Sequence, residues 1–405
     1  MSAWIERRLG LTTSGAVLAG ACAAGWFAAR LASSRALFLV VYAMAGLLGA
    51  AWLAGRRPLA TDAERSEIPT RVREGQRVSV EVTLRARRRL GTLVLTEELP
   101  AALGTPARLP IATLPAGREV SHRYSITPRL RGVWPVGPLV AVWRDPFGLT
   151  VRRVPLLEAE QLIVHPLVEQ VHDRVLSRQW EDPPIRPPIT KPWPTGFEFY
   201  GMREYVPGDD PRRIVWRAVA RTGRYLVREA EQGITDRVTL LIDDDRKAHT
   251  PGEVSETFET AVRAVASLGV RHLRDGFAVT LDASSGRVDE GLRGERLRIR
   301  FLDDVARLRR GTEPLVGAMR RIVSDPRRDT HYVIVTSRLD AESATMLRLV
   351  IDRGGSVLFV HVASEEIDPE AAAGAEALGC EVVELRPGAA LEAAFRRGIG
   401  AGLRR

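Results

Sequence analysis

Cysteine and lysine are both scarce in this chain. The two cysteines are Cys22, inside an apolar run, and Cys380, which opens a late apolar segment. Two cysteines cannot build a disulfide framework, and neither has a nucleophile's partner nearby in sequence, so a reducing compartment is the simpler reading. The only lysines are Lys191 and Lys247, so the net charge of +9 is carried almost wholly by arginine. Such a bias reflects base composition more readily than arginine chemistry. The sequence also lacks H-E-x-x-H, C-x-x-C, G-x-S-x-G, a Walker loop and a G-x-G-x-x-G after a strand. Those absences leave no motif for zinc peptidase, dithiol redox, serine hydrolase, P-loop or dinucleotide chemistry. The seven histidines are scattered and read as surface or internally satisfied residues. A basic excess can favour acidic lipid or nucleic acid. No nucleic-acid motif accompanies it here, and the most charged stretch, Gly196 to Glu231, holds seven arginines against six acids. That balance suits ion pairs better than a phosphate groove, so no nucleic-acid partner is expected.

What is present begins with two long apolar runs, Leu9 to Ala29 and Ala36 to Gly55, each about 20 residues and uncharged. At 1.5 Å per residue each can cross a hydrocarbon core of roughly 30 Å. Only Arg30 to Arg35 separates them, so residues 1–58 read as a helical hairpin in a lipid bilayer. A cleaved signal peptide would account for the first run but not for a second that follows at once. Small residues recur four apart at Gly15/Ala19, Gly20/Ala24 and Ala45/Gly49, a spacing that permits close helix packing in lipid. Arg7, Arg8, Arg56, Arg57 and Arg65 flank the ends, against Arg30 and Arg35 in the loop. Positive charge favours the cytosolic side. The expectation is a two-pass plasma-membrane protein with its soluble domains in the cytoplasm.

From 59 to 172 the pattern changes to short strands. Arg77 to Leu84 alternates apolar and polar residues, and Thr92–Thr96, Glu119–Ile126 and Leu139–Trp143 look similar. Turns with glycine and proline separate them, which argues for an antiparallel β-sandwich. Asp145-Pro-Phe-Gly148 reads as a corner turn. Residues 173–195 form a linker, with six prolines between 181 and 195. Such a run prefers a stiff polyproline II spacer, with a docking site for a proline-reading domain as the alternative.

From 236 to 405 strands alternate with helices. Strands are expected at Val238–Asp243, Phe277–Leu281, His331–Thr336, Ser356–Val362 and Cys380–Leu385. Helices are expected near Ser255–Arg274, Leu297–Arg309, Glu313–Ser324, Ala341–Arg353, Pro369–Ala377 and Leu391–Gly398. This order gives a doubly wound α/β domain with a mainly parallel sheet. Open sheets of that kind place sites beyond the carboxyl ends of strands. The first strand there ends in Asp243-Asp244-Asp245.

Between linker and α/β domain lies the segment 196–235. Pro207-Gly208 fits a tight turn. Asp210 before Pro211 fits a helix start, with the helix running to about Arg221 and Gly223 as a left-handed cap. Ile214, Ala218 and Trp216 would face inward. Charges of both signs alternate closely: Arg203 and Glu204, then Asp209 and Asp210, then Arg212 and Arg213. They suit either a structural clasp with buried pairs or an exposed recognition surface.

Gly196, Glu198, Phe199, Arg203, Tyr205, Gly208, Asp209, Arg213, Ile214 and Trp216 together resemble the signature of the bacterial domain-of-unknown-function family 58. Arg131 to Leu149 resembles a second stretch typical of it. The resemblance implies an immunoglobulin-like sandwich and then a von Willebrand factor A-like domain, whose metal site begins D-x-S-x-S after the first strand. The matching positions here are Asp243, Asp245 and Lys247. Asp243 fits, and Asp245 offers oxygen to a hard cation. An ammonium has no lone pair to give, so Lys247 does not fit. The later strand supplies Thr336 and Ser337, with Asp340 further along. The expectation is no cofactor, with Mg²⁺ at Asp243 and Asp245 as the alternative. The resemblance also implies association with a MoxR-type AAA+ ATPase. Two function classes result: a membrane-anchored, non-enzymatic adaptor in chaperone-like envelope assembly, and a metal-assisted hydrolase using the Asp243 cluster.

Overall fold

A computed structural model describes residues 10–56, 59–171, 199–205, 214–230, 237–324, 330–353 and 355–395. The chain divides into two compact units, Met1–His165 and Pro166–Arg405.

The first unit opens with two helices, α1 (Thr13–Leu31) and α2 (Arg35–Gly55). Each starts on a hydroxyl cap: Thr12 accepts from the Gly15 N–H and Ser34 from the Leu37 N–H. Both are long and apolar enough to cross a membrane. Their close approach falls at Gly25, where a Cβ would come within 2.9 Å of the Val41 side chain. Ala29, one turn on, is fully buried. Gly20 and Gly49 have open space around them, so the seam is not set by the four-residue spacings at Gly20/Ala24 and Ala45/Gly49. Small residues recur on several faces of these helices, and the bulk of Val41 selects one.

Ten strands follow: β1 (Thr61–Arg65), β2 (Arg71–Arg73), β3 (Val78–Ala86), β4 (Leu93–Glu97), β5 (Ala107–Ile111), β6 (Glu119–Ile126), β7 (Gly132–Val136), β8 (Leu139–Arg144), β9 (Val151–Leu157) and β10 (Glu160–His165). They form three sheets, β1-β3-β6, β5-β4-β8-β9 and β2-β10-β7. Every pairing is antiparallel except β2 with β10. The period of two in VSVEVTLRA explains the packing. Val78, Val80, Val82, Leu84 and Ala86 are buried, and the residues between them face outward or are half-buried. Val82 to Ala86 join Leu93, Leu95, Leu139 and Ala141 in one apolar cluster, and Val78 and Val80 join Ile126, Val136 and Leu162 in another. Beside the first lies a buried ion pair, Arg65 to Glu97 at 2.6 Å, with Glu160 on the second guanidinium nitrogen. Asp145 organises the turn between β8 and β9. Its carboxylate accepts from the Phe147 N–H, the Thr150 N–H and the Thr150 hydroxyl.

In the second unit, β11 (Phe199–Glu204) and β12 (Leu226–Ala230) form an antiparallel pair that flanks α3 (Trp216–Thr222). The expected helix start at Pro211 lies outside the described residues. Ile214 makes a β-bridge to Val227 and the Val215 N–H donates to the Leu226 carbonyl, so the helix begins at Trp216. Gly223 ends it with φ 69, as a left-handed cap.

The remainder alternates: β13 (Arg237–Ile242), α4 (Glu256–Arg274), β14 (Ala278–Ala283), β15 (Gly286–Arg293), α5 (Arg298–Arg307), α6 (Leu315–Ser324), β16 (Thr330–Thr336), α7 (Ala341–Asp352), β17 (Ser356–Val362), α8 (Ala371–Ala377) and β18 (Glu381–Leu385). The sheet order is β15-β14-β13-β16-β17-β18, all parallel except β15 against β14. Alternate residues of β13 serve opposite layers. Val238, Leu240 and Ile242 pack with Ala261, Val265 and Leu268 of α4 and with Phe301 and Val305 of α5. Leu241 packs with Leu315 and Met319 of α6, Leu347 and Val350 of α7 and Ala375 of α8. Burial on both faces makes such strands read as continuous apolar runs. β15 was not expected, because Leu292 is its only buried residue. An edge strand that polar shows no alternation to read. Residues 166–171 belong with this unit: Glu169 N–H donates to Ser267 of α4, and Val171 joins the same core.

Candidate functional site

The chain leaves β13 between its two parallel neighbours. The helix that follows β13 covers one face of the sheet, and the helix that follows β16 covers the other. The connections after β13 and β16 therefore leave to opposite faces, and the carboxyl ends of these two strands form the switch point beyond which ligands of open α/β sheets lie. Asp243 is the first residue past β13, and Thr336 is the last of β16.

Asp243 is 2% exposed. One carboxylate oxygen accepts from the Asp245 N–H and from the Ser284 hydroxyl, each at 3.1 Å. The other lies 2.7 Å from the Thr336 hydroxyl, which is also 2.9 Å from the Arg338 carbonyl. A hydroxyl has one proton and serves one acceptor at a time. A protonated Asp243 can donate to Thr336 and release the Thr336 proton to Arg338. Burial, opposed by these donors, pushes the Asp243 carboxyl up to about 6.

The neighbours are equally committed. Asp244 accepts from the Ser285 N–H at 3.0 Å and from its hydroxyl, and burial raises its carboxyl as well. Asp245 accepts from the Lys247 N–H at 3.1 Å and so caps the single turn at 246–248. The Asp244 carbonyl takes the Gly311 N–H at 2.7 Å, and the Gly311 carbonyl takes that of Arg246. His249 is buried with Nε2 at 2.6 Å from the Asp243 carbonyl and Nδ1 at 3.2 Å from the Thr257 hydroxyl. A carbonyl only accepts, so Nε2 carries the proton. Burial drives this imidazole down to about 4, so it is neutral at pH 7. Arg310 binds the carbonyls of Thr250, Gly252 and Glu253 and holds the loop beyond it.

The donor set does not fit Mg²⁺, which takes near-octahedral oxygen ligands. One Asp243 oxygen accepts two intrachain donors and the other faces the Thr336 hydroxyl, Asp245 caps a turn, and Lys247 is exposed at the third position. Asp340 caps α7 through the Ser343 N–H at 2.8 Å instead of turning to Asp243. Among the described residues no three His, Cys, Asp or Glu side chains converge as a metal site.

The signature segment is a separate feature. Glu198, Gly208, Asp209, Asp210, Arg212 and Arg213 lie outside the described residues. Arg203 stands opposite Val227 in the β11–β12 pair. Glu204 meets Arg224 at 3.2 Å with both side chains mostly exposed, and Tyr205 donates its N–H to the Tyr225 carbonyl. Trp216 is 64% exposed and sits edge-on to Tyr225, with ring centroids 6.4 Å apart. It does not turn inward as expected, and no residue of α3 is buried. The described half of the segment thus presents aromatics and one exposed ion pair.

Sequence reasoning missed Ser284, Ser285 and His249. The two serines follow β14, the strand beside β13, so pairing the strands would have brought them to Asp243. His249 has no sequence signal, since its partners are a backbone carbonyl and the Thr257 hydroxyl eight residues on.

Residues 201–370 match a family described as "Protein of unknown function DUF58". No curated protein matches the sequence. Similar solved structures include a beta-glucosidase from Listeria innocua, alone (17% identity, TM-score 0.17) and with glucose (17%, 0.16) or gluconolactone (16%, 0.16). Each alignment covers 26% of this chain and 16% of that enzyme. The chain thus spans about a sixth of the enzyme's length. Residues 201–370 are a DUF58 family domain.

Proposed function

We propose that this protein is a two-pass plasma-membrane adaptor that works without chemistry of its own, in partnership with a MoxR-type AAA+ ATPase in envelope assembly. On this reading the second unit is von Willebrand factor A-like and cytoplasmic, and its rim at Asp243–Lys247 and the segment around Trp216 are partner surfaces. The observation that carries the adaptor half is the commitment of Asp243. A carboxylate whose two oxygens already hold three intrachain donors is poorly placed to bind a cation or activate water. The membrane half is supported by the surface of α1 and α2. Val17, Phe27, Leu31, Leu39, Val40 and Leu53 are all more than half exposed. Water would oppose that at about 25 cal/mol per Å² of apolar surface, and lipid would not.

The run of three aspartates at the end of β13 supports one competing reading, a metal-assisted hydrolase. Two measurements separate them. The full chain is purified from detergent-solubilised membranes and probed for a co-purifying MoxR-type ATPase. The same preparation is titrated with Mg²⁺ and Mn²⁺ by calorimetry. Capture of the ATPase, weakened by charge reversal at Lys247 and accompanied by no metal heat, is the expected result. Micromolar metal binding lost in Asp243→Ala/Asp245→Ala, with hydrolytic turnover, would overturn the adaptor reading. A reporter fused after Arg405 should report cytoplasm.

A further inference from the structure

The β8–β9 turn is fastened to both apolar helices at once. Gly10 to Thr12 run antiparallel to residues 149–151: the Val151 N–H donates to the Gly10 carbonyl at 2.8 Å and the Thr12 N–H to the Leu149 carbonyl at 3.0 Å. The Thr12 hydroxyl donates to the Gly148 carbonyl at 2.5 Å. Helix α1 then starts at Thr13, so no spacer separates it from the sandwich. Gly15 is needed there, because a Cβ would lie 2.0 Å from the Leu149 carbonyl oxygen. On α2, Arg152 donates to the Gly55 carbonyl at 2.8 Å, and the Thr150 hydroxyl oxygen, whose proton goes to Asp145, lies 3.3 Å from the Ala51 carbonyl. Ala51 lies four residues, about 6 Å, inside the end of α2. Going back along the chain from Arg152 to Thr150 therefore advances along α2 toward its middle. Phe147 stands three residues further back, at the tip.

Lengths fix where that tip must be. The helices have 19 and 21 residues, about 28 and 32 Å, and the hydrocarbon core is roughly 30 Å thick. Nearly all of each helix is needed to span it, so a turn docked inside their ends meets the lipid boundary. The turn is built for such a place. Its carboxylate, Asp145, is 4% exposed and holds three internal donors. Phe147 is 65% exposed on this rigid frame. Trp143 packs beside Gly55, and Arg56 stacks on Trp52 at 3.6 Å, the residue types that gather at a membrane interface.

We propose that the Asp145–Gly148 turn is a lipid-contacting element, with Phe147 inserted at the boundary between headgroups and acyl chains. The proposal rests on the membrane reading of α1 and α2. Docking and insertion together would fix the tilt of the sandwich on the membrane, where two spans alone leave it free.

The test uses the full chain in phosphatidylcholine nanodiscs with an environment-sensitive fluorophore on a single cysteine. In Cys380→Ala the label sits on Cys22, at the middle of α1, and marks the bilayer centre. In Cys22→Ala/Cys380→Ala/Phe147→Cys it sits at the tip. Nitroxide lipids carrying the spin at acyl carbon 5 or 12 are the quenchers, and iodide is the aqueous one. The Cys22 label should be quenched best by the 12-position lipid. The label at position 147 should be quenched best by the 5-position lipid and protected from iodide. A label at 147 quenched by iodide and by neither lipid, with Cys22 quenched as expected, overturns the insertion and leaves the spans intact. Loss of lipid quenching at Cys22 itself overturns the membrane reading and the proposal with it.

Discussion

Asp243 and His249 are perturbed in opposite senses over the same pH range, and their effects on stability should cancel. Burial lifts the Asp243 carboxyl from the ordinary 3.8 to about 6. The folded state then favours the protonated form, so this contribution is complete below pH 4 and is lost as pH rises through 6. Burial lowers the His249 imidazole from 6.5 to about 4. Its contribution is complete above pH 6.5 and is lost as pH falls through 4. Each shift exceeds two units, so each amounts to roughly 3 kcal/mol. Wild type should therefore show little net slope from this pair between pH 4 and 7. Asp243→Asn removes the falling component. The amide keeps one acceptor, and the Thr336 hydroxyl turns to accept from its NH₂ group. Stability should then rise by about 3 kcal/mol from pH 4 to 7, relative to wild type. His249→Gln keeps a donor for the Asp243 carbonyl and an acceptor for Thr257, and should give the reverse slope. For a unit of this size about 3 kcal/mol corresponds to roughly 6–12 °C in Tm. The assay is thermal melting of the full chain in detergent at fixed ionic strength, followed by circular dichroism at 222 nm. Helices α4 to α8 dominate the signal that melts. Identical Tm–pH profiles for wild type and both variants would refute the buried-pair account.

Two further outcomes test the packing. Gly269 of α4 faces Phe301, and a Cβ there would lie 2.0 Å from the ring; Gly269→Ala should cost about 1–3 kcal/mol in denaturant unfolding, with recovery in Gly269→Ala/Phe301→Leu. Among the antiparallel sheets of the first unit, Arg65→Met should cost about 3–5 kcal/mol because Glu97, which has no exposed surface, is left without its cation; adding Glu97→Gln should recover most of that loss.

The parts of the fold visible in the sequence are those governed by local periodicity. β6 falls on the expected residues, Glu119–Ile126, and β17 on Ser356–Val362, because each is an uninterrupted pattern bounded by turn residues. The start of α4 was legible because Ser255 is a hydroxyl ahead of an apolar periodic run, and it caps the helix by accepting from the Phe258 N–H. The polar edge strand β15 and the late start of α3 were not legible. Pairing partners decide both: β14 gives β15 its hydrogen bonds, and β12 holds Ile214 and Val215 extended where local signals favoured a helix.

The site follows the same rule, with sharper consequences. That an aspartate run ends the first strand of the sheet was readable from the sequence, and so was the mismatch at Lys247. The cap made by Asp245 is local, but what Asp243 and Asp244 do was not readable, because their side-chain partners come from distant parts of the chain. Ser284 reaches Asp243 across 41 residues and Thr336 across 93. Asp340 lies too far along the chain to serve as the later ligand, and it is spent on the first turn of α7. A threonine ends β16, and its hydroxyl lies 2.7 Å from the second Asp243 oxygen. Strand topology, which puts β14 and β16 on either side of β13, decides which hydroxyls reach that carboxylate, and the order of residues along the chain does not display it.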